Sequence, residues 1–442
     1  MLFLSPEERP LTSTREPRNV FVIAPTKLHF EELKTVRGVG ERFHLIPLLD
    51  FADVVHVEEL HIGRVVDKAR AQLDAFGGRV DAIIAHWDFP TTLLAPMLSR
   101  ERGCRAPSVD SVVQCGHKYW SRVAQRRALG DETPRFALVD PFDPDAARNT
   151  ELPYPFWLKP VKAFSSQLGF RIESRVDFER ALEEIRAEIP RIAEPFDQLV
   201  EEAGVSARFR DIGGRYCIAE EYLGGLEIAH EGRVFRGEIG FHATMDMIRE
   251  DEVFTRFEWP SSEPARIHRR MEAMTSAVLR EVGYDDGCFN AEFFWDPETD
   301  ALRLIEINPR ISQSHAPLAM MVDGQTVHEV AIDVALGIAP RFEPGAGEKA
   351  LAAKLLHRVR RDGVVRRVPT EEEVAALERR FDAFIEVEVE EGERLSELID
   401  QDSYSYILAC VYLGADSREE LLARYAELLD AMPLEVEHRE AA

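Results

Sequence analysis

No stretch of this sequence approaches the roughly 18–20 consecutive apolar residues that a membrane-spanning helix needs. The opening, MLFLSPEERPL, has too short an apolar run and too many early charges to read as a secretory signal. Cysteine is scarce: Cys104, Cys115, Cys217, Cys288 and Cys410 are scattered, with no paired metal spacing. They fit buried thiols in a reducing cytoplasm, and none has a sequence partner that would make it a nucleophile. Positive charge is also short. Against 80 aspartates and glutamates stand 54 lysines and arginines, a formal charge of −26 with no basic stripe. That argues against a nucleic-acid partner, because phosphate backbones are gripped by clustered lysine and arginine. The acidity is spread along helices such as ERALEEIRAEI, as on solvated faces. Missing too is a glycine-rich fingerprint after the first strand, NVFVIAP, so no Rossmann-type dinucleotide site is expected there.

What is present is ordinary globular material: 45% hydrophobic and 30% charged over 442 residues, too long for a single core. The first hundred residues or so alternate strand-like and helix-like segments, NVFVIAP, FEELKTVRG, RFHLIPLLDF, IGRVVDKARAQLDAF, VDAIIAHW and TTLLAPMLSRERG. This predicts a parallel α/β domain over 1–107. HWDFP, with His86, Trp87 and Asp88, falls at a strand's carboxyl end, where open sheets gather ligands. A turn with Asp88 as helix cap accounts for it equally well. From Ser108 the texture changes to α+β, with a strand meander in RYCIAEEYLGGLEIAHEGRVFRGEIGFH. A second domain is expected over 108–345, divided near 150–223 and 224–345, and a small α+β lobe over 346–442.

Within CFNAEFFWDPETDALRLIEINPR, the DPETD turn joins two alternating runs into a hairpin. Folding it brings Glu292 roughly opposite Glu306, with Asn290 and Asn308 alongside. Facing carboxylates repel unless a proton or a cation lies between them. Hard oxygens with an amide carbonyl added suit magnesium, whereas a solvated acidic edge explains the hairpin alone about as well. The upstream lysines decide between these. FWLKP puts Lys159 at the end of an apolar strand, a costly place without an anionic partner. Ser165 and Ser166 begin a loop whose hydroxyls and N–H groups suit a phosphate. EEYLGGLE offers an extended edge to a purine, with Glu220, Leu223 and Glu227 spaced along it.

In this order the motifs resemble the ATP-grasp superfamily over most of the chain. The resemblance implies two magnesium ions on Glu292, Glu306 and Asn308, with Mn2+ as a substitute, and Arg310 on the transferring phosphoryl group. It implies ATP phosphates on Lys159 and on Lys118 of GHKYWSR, under a cover loop AFSSQLG. For the hinge it implies Glu220 toward the adenine amino group, the backbone of Glu221 and Leu223 along the ring, and Glu227 toward the ribose. Departures are Phe164 where relatives often have glycine, a late Gly169, and Glu221 where many carry lysine. The layout is similar to biotin carboxylase and the amino-acid ligases. However, NPRISQSHAPL lacks the glutamate–histidine element of biotin carboxylases, and no biotin-bearing lysine motif is visible. The expected activity is an ADP-forming carboxylate–amine ligase acting on small molecules such as amino acids, in a homodimer. A biotin carboxylase-like enzyme and a non-catalytic ATP-binding module are the alternatives; a glycosidase built on the paired acids leaves the lysines unexplained. His315 is a candidate to orient the acyl phosphate, Arg256 and His242 are candidate carboxylate binders, and Met320 and Met321 read as pocket wall or core.

Overall fold

In NVFVIA the side chains from Val20 to Ala24 are all buried, as in a parallel strand covered on both faces. The structure, a computed structural model, describes residues 16–54, 60–162, 168–250, 253–398 and 405–438. Strands β1 (Arg18–Ile23), β2 (Phe43–Leu48) and β3 (Ala82–Ala85) form a parallel sheet in the order β2-β1-β3. On one face Phe21, Ile23 and Ile83 share a core with the helices Ile62–Ala75 and Thr91–Arg102. On the other, Val20, Val22 and Ile84 meet Leu33 together with Ile332 and Ala335. Those last residues belong to the helix Val327–Ala335, so a distant part of the chain closes the first sheet.

The second sheet is antiparallel, with β4 (Phe136–Val139), β5 (Phe156–Pro160), β6 (Phe170–Ile172) and β7 (Cys217–Glu221) in the order β4-β7-β5-β6. Phe156, Leu158, Ile172 and Ala219 pack on Phe178, Leu182, Ile185 and Ile189 of the helix Arg175–Glu202. The Ser174 side chain caps that helix by accepting from the Asp177 N–H. Because β4 starts at Phe136, this unit reaches further back than the expected boundary at 150.

The remaining strands are β8 (Leu226–Phe235), β9 (Glu238–Glu250), β10 (Val253–Trp259), β11 (Gly287–Asp296), β12 (Ala301–Asn308), β13 (Leu351–Val359), β14 (Gly363–Arg367), β15 (Ala383–Val387), β16 (Tyr406–Ala415) and β17 (Glu435–His438). Eight of them make one sheet, β12-β11-β8-β9-β10-β13-β16-β15, while β14 pairs with β17. Arg256 lies opposite Leu355 and Trp259 opposite Ala352, so β13 continues the sheet from β10. The strands expected to form a separate small lobe therefore extend the central sheet, with only β14 and β17 pairing apart from it among the described residues. The helix Ala265–Val282 covers part of one face through Ile267, Met271 and Val278. Trp259, fully buried, donates its indole N–H to Asp323 at 2.8 Å and ties the sheet to the helix Ala316–Asp323. No helix among the described residues is long and apolar enough to cross a membrane.

Candidate active site

The β11–β12 pairing places Glu292 opposite Glu306 and Asn290 opposite Asn308, after a one-residue bulge between Glu292 and Phe293 shifts the register set by the DPETD turn. Both glutamates and Asn308 line a cleft of about 1030 Å³. The Asn308 amide nitrogen donates to Glu292 Oε1 at 3.1 Å and to Glu306 Oε1 at 3.4 Å. Burial, reinforced by Glu306 and Glu227, holds the Glu292 carboxyl well above the usual range. Burial also opposes charge on Glu306, but Lys118 and Lys159 outweigh it and hold that carboxyl low. Lys118 Nζ stands 3.8 Å from Glu306 Oε2. Two facing carboxylates and an amide on an enclosed wall, one carboxylate resisting ionisation for want of positive charge, fit a hard divalent cation.

Lys118 opens the helix Lys118–Leu129, and its N–H donates to the Val161 carbonyl at 2.8 Å, which sets it beside the end of β5. Burial, then the neighbouring Lys159 and Lys162, lower its pKa against the pull of Glu306. Lys159 reaches Glu220 Oε2 at 2.7 Å. Lys162 reaches Asp88 Oδ1 at 3.0 Å, and Arg310 approaches Asp88 Oδ2 at 3.4 Å. Asp88 also accepts the Phe89 N–H, so the local turn and the long-range ion pairs coexist. Burial works against its charge, but Lys162 and Arg310 keep its carboxyl far below the usual range.

The hinge residues follow. Glu220 is 4% exposed, its carboxylate held by Arg122 Nε at 2.6 Å and by Lys159. Burial alone would raise its pKa; the two cations bring it down to about 2. That carboxylate is turned to Arg122 and Lys159, not offered to a base, which corrects the expectation for its side chain. The Glu221 carboxylate faces Arg135 at 3.4 Å, and Glu221 and Leu223 both line the cleft. Glu227 pairs with Arg249 at 2.8 Å, yet burial, with repulsion from Glu306, raises it to about 7.

Three expectations fail. His315 does not line the cleft; it is buried, with Nδ1 2.7 Å from Glu231 Oε1 and its ring near Phe257 and Trp259. Arg256 is engaged by Glu258 at 2.6 Å, and His242 packs on Phe342; neither lines the cleft. Glu258 stands two residues along from Arg256 on β10, while Glu231 and Phe342 come from distant parts of the chain. Ser165 and Ser166 lie outside the described residues.

Residues 260–341 match the family model for the carbamoyl-phosphate synthase L chain, ATP binding domain. A stretch of 72 residues is 40% identical to the carbamoyl phosphate synthase large chain of Kocuria rhizophila, covering 16% of this chain and 6% of that relative's length. Among solved structures, the L-amino acid ligase from Bacillus licheniformis superposes with a TM-score of 0.70 at 16% identity, over 97% of this chain and 100% of that one. The biotin carboxylase domain of Hydrogenobacter thermophilus 2-oxoglutarate carboxylase, solved with MgADP, ADP and bicarbonate, gives 0.62 at 16% identity, over 95% and 91%. The chain has the ATP-grasp fold.

The ATP-grasp cleft of this chain also holds residues that sequence reasoning missed. Arg122 donates from Nη1 to the Leu304 and Ile305 carbonyls at 2.8 and 2.7 Å, joining the helix Lys118–Leu129 to β12. In sequence it looks like one more solvated arginine of RVAQRR; a helical wheel setting it beside Ser121 and Gln125, all buried, is the signal that could have found it. Lys162 stands three residues beyond Lys159, between the FWLKP and AFSSQLG segments. Beyond Arg310 the cleft is walled by Ser314, Lys354, Glu386, Glu388 and Tyr412. There Lys354 Nζ donates to Ser314 Oγ at 3.0 Å and the Tyr412 hydroxyl to Glu386 Oε2 at 2.9 Å. No local pattern ties these strands to the cleft.

Proposed function

We propose that the protein is an ATP-dependent, ADP-forming ligase that activates a small-molecule carboxylate as an acyl phosphate and joins it to an amine. The observation that carries this reading is the convergence of Glu292, Glu306 and Asn308 with Lys118, Lys159 and Arg310 on one cleft. A substrate carboxylate oxygen attacks the γ-phosphorus, and the bond to the β,γ-bridging oxygen breaks, releasing ADP. The amine nitrogen then attacks the acyl carbon, the carbon–oxygen bond to phosphate breaks, and the amine's proton passes to solvent. Such chemistry asks a protein for positioning and charge neutralisation rather than for a nucleophile.

Lys118 and Lys159 hold the phosphates, and Arg310, braced by Asp88, steadies the phosphoryl group in transfer and the acyl phosphate. The backbone of Glu221 and Leu223 borders the adenine ring, Glu220 fixes Lys159 in place, and Glu227 faces the ribose. Glu292, Glu306 and Asn308 would hold two magnesium ions, or manganese in their place, which when bound neutralise phosphate oxygens. Likeness in fold to an L-amino acid ligase supports amino acids as substrates. We place the protein in the cytoplasm, as a homodimer.

The test is magnesium-dependent ADP release across a panel of amino acids, with wild type and Glu306→Ala. Release by wild type that falls about 100-fold or more in the variant is expected, as for loss of a transition-state charge partner. Equal activity would remove the metal assignment; tight ATP binding without ADP release from any pair would leave a binding module.

A further inference from the structure

Glu231 is fully buried, yet no lysine or arginine pairs with it among the described residues. It stands on β8 opposite Asn290 of β11, which stands opposite Asn308 of β12. The three side chains thus form a row across three strands, two residues along from the row Ala229, Glu292 and Glu306, and on the same face of the sheet. Contacts follow the row. Asn290 Nδ2 donates to Glu231 Oε1 at 3.2 Å, and Asn308 Nδ2 donates to Asn290 Oδ1 at 3.4 Å. The same Glu231 oxygen receives the Ser312 N–H at 3.1 Å and lies 2.7 Å from His315 Nδ1. Its other oxygen, Oε2, has no partner among the described residues. An anion kept in the core with one oxygen unsatisfied is a poor structural choice where an apolar residue would pack.

We infer that Glu231 is a positioning residue that fixes the amide polarity of Asn290 and Asn308 and moors the segment carrying Arg310. A carboxylate only accepts hydrogen bonds, so Asn290 must turn its NH2 toward it and its carbonyl toward Asn308. Asn308 must then turn its own NH2 toward Asn290, and its carbonyl oxygen is the end left for a cation. Asn290 Oδ1 is also an acceptor that Asn308 keeps when a cation takes over Glu292 and Glu306. Through Ser312 and His315 the same oxygen anchors the chain just past Arg310, which gives the buried histidine its task. This inference rests on the metal reading above and adds the residue that orients its amide ligand.

The test compares Mn2+ uptake by wild type, Glu231→Gln and Glu231→Asp, each with a non-hydrolysable ATP analogue, from the electron paramagnetic resonance signal of free Mn2+. Glutamine keeps the shape but offers a donor as well as an acceptor, so neither asparagine has a unique orientation. Metal affinity should fall about 10- to 100-fold, the usual loss when a ligand's orienting partner is changed. Metal-free affinity for the analogue and the melting temperature should stay at wild-type values, and Glu231→Asp should recover part of the loss. If Glu231→Gln does not fold, Asn290→Leu breaks the same row and should show the same loss. Full Mn2+ affinity in Glu231→Gln, or in a folded Asn290→Leu, would overturn the relay alone. A wild type that takes up no Mn2+ would instead overturn the metal site itself.

Discussion

Arg122→Met removes a guanidinium that reaches two separate strands: Glu220 on β7, and the Leu304 and Ile305 carbonyls on β12. Arg122 and Lys159 together bring the Glu220 carboxyl from 4.5 to about 2 against the pull of burial. At about 1.4 kcal/mol per tenfold change in proton affinity, that drop corresponds to about 3 kcal/mol. Losing Arg122 forfeits part of this and leaves two carbonyls without their donor, for a total of about 3 kcal/mol. The melting transition at neutral pH should fall by roughly 6–12 °C for a unit of this size. The sign of the pH dependence is fixed. In wild type the Glu220 contribution is complete above its unfolded pKa near 4.5 and is lost as pH falls toward about 2. In the variant only Lys159 opposes burial, so the folded pKa lies higher than in wild type and the Glu220 contribution is smaller and is lost at higher pH. The difference between the two proteins must therefore shrink as pH is lowered. Scanning calorimetry at pH 7, 4.5 and 3 reads this directly. A loss of 2 °C or less, or a loss unchanged across that range, would refute the argument.

Magnesium binding should be linked to proton release, because Glu292 holds its proton above the usual carboxylate range and must lose it to coordinate. Titration calorimetry of Mg2+ with the ATP analogue, in two buffers of different ionisation heat, should show released protons and tighter binding at higher pH; no buffer dependence would contradict it. Gly225 has φ +119°, and a Cβ there would lie 2.4 Å from the Trp295 carbonyl oxygen, whereas one at Gly224 meets nothing within 4 Å. Gly225→Ala should lower the melting temperature by several degrees and weaken ATP binding, as expected for strain at a position closed to a side chain, while Gly224→Ala should do neither. Equal effects at the two positions would show that the hinge backbone is not constrained as described.

The sequence by itself determined what local periodicity controls. Alternation on either side of DPETD made the hairpin and the polar residues it carries legible, Glu292, Glu306, Asn290 and Asn308 among them; the pairing set by the turn would place Glu292 opposite Ile305, and a bulge beside Glu292 brings Glu306 there instead. Lys159 could be read because a charge at the end of an apolar strand needs a partner wherever that strand lies. Tertiary structure alone decided which distant groups meet. Asp88 joins Lys162 and Arg310 from the end of a different sheet, Arg122 turns inward from a helix that looks solvated, and His315 turns toward Glu231 rather than the cleft. Likewise β13 and β16 extend the central sheet and bring Lys354 and Tyr412 to the cleft wall. Side-chain alternation says which face of a strand is wet or dry, but the neighbour across that face is set by sheet order and helix packing, to which residues close in sequence contribute nothing.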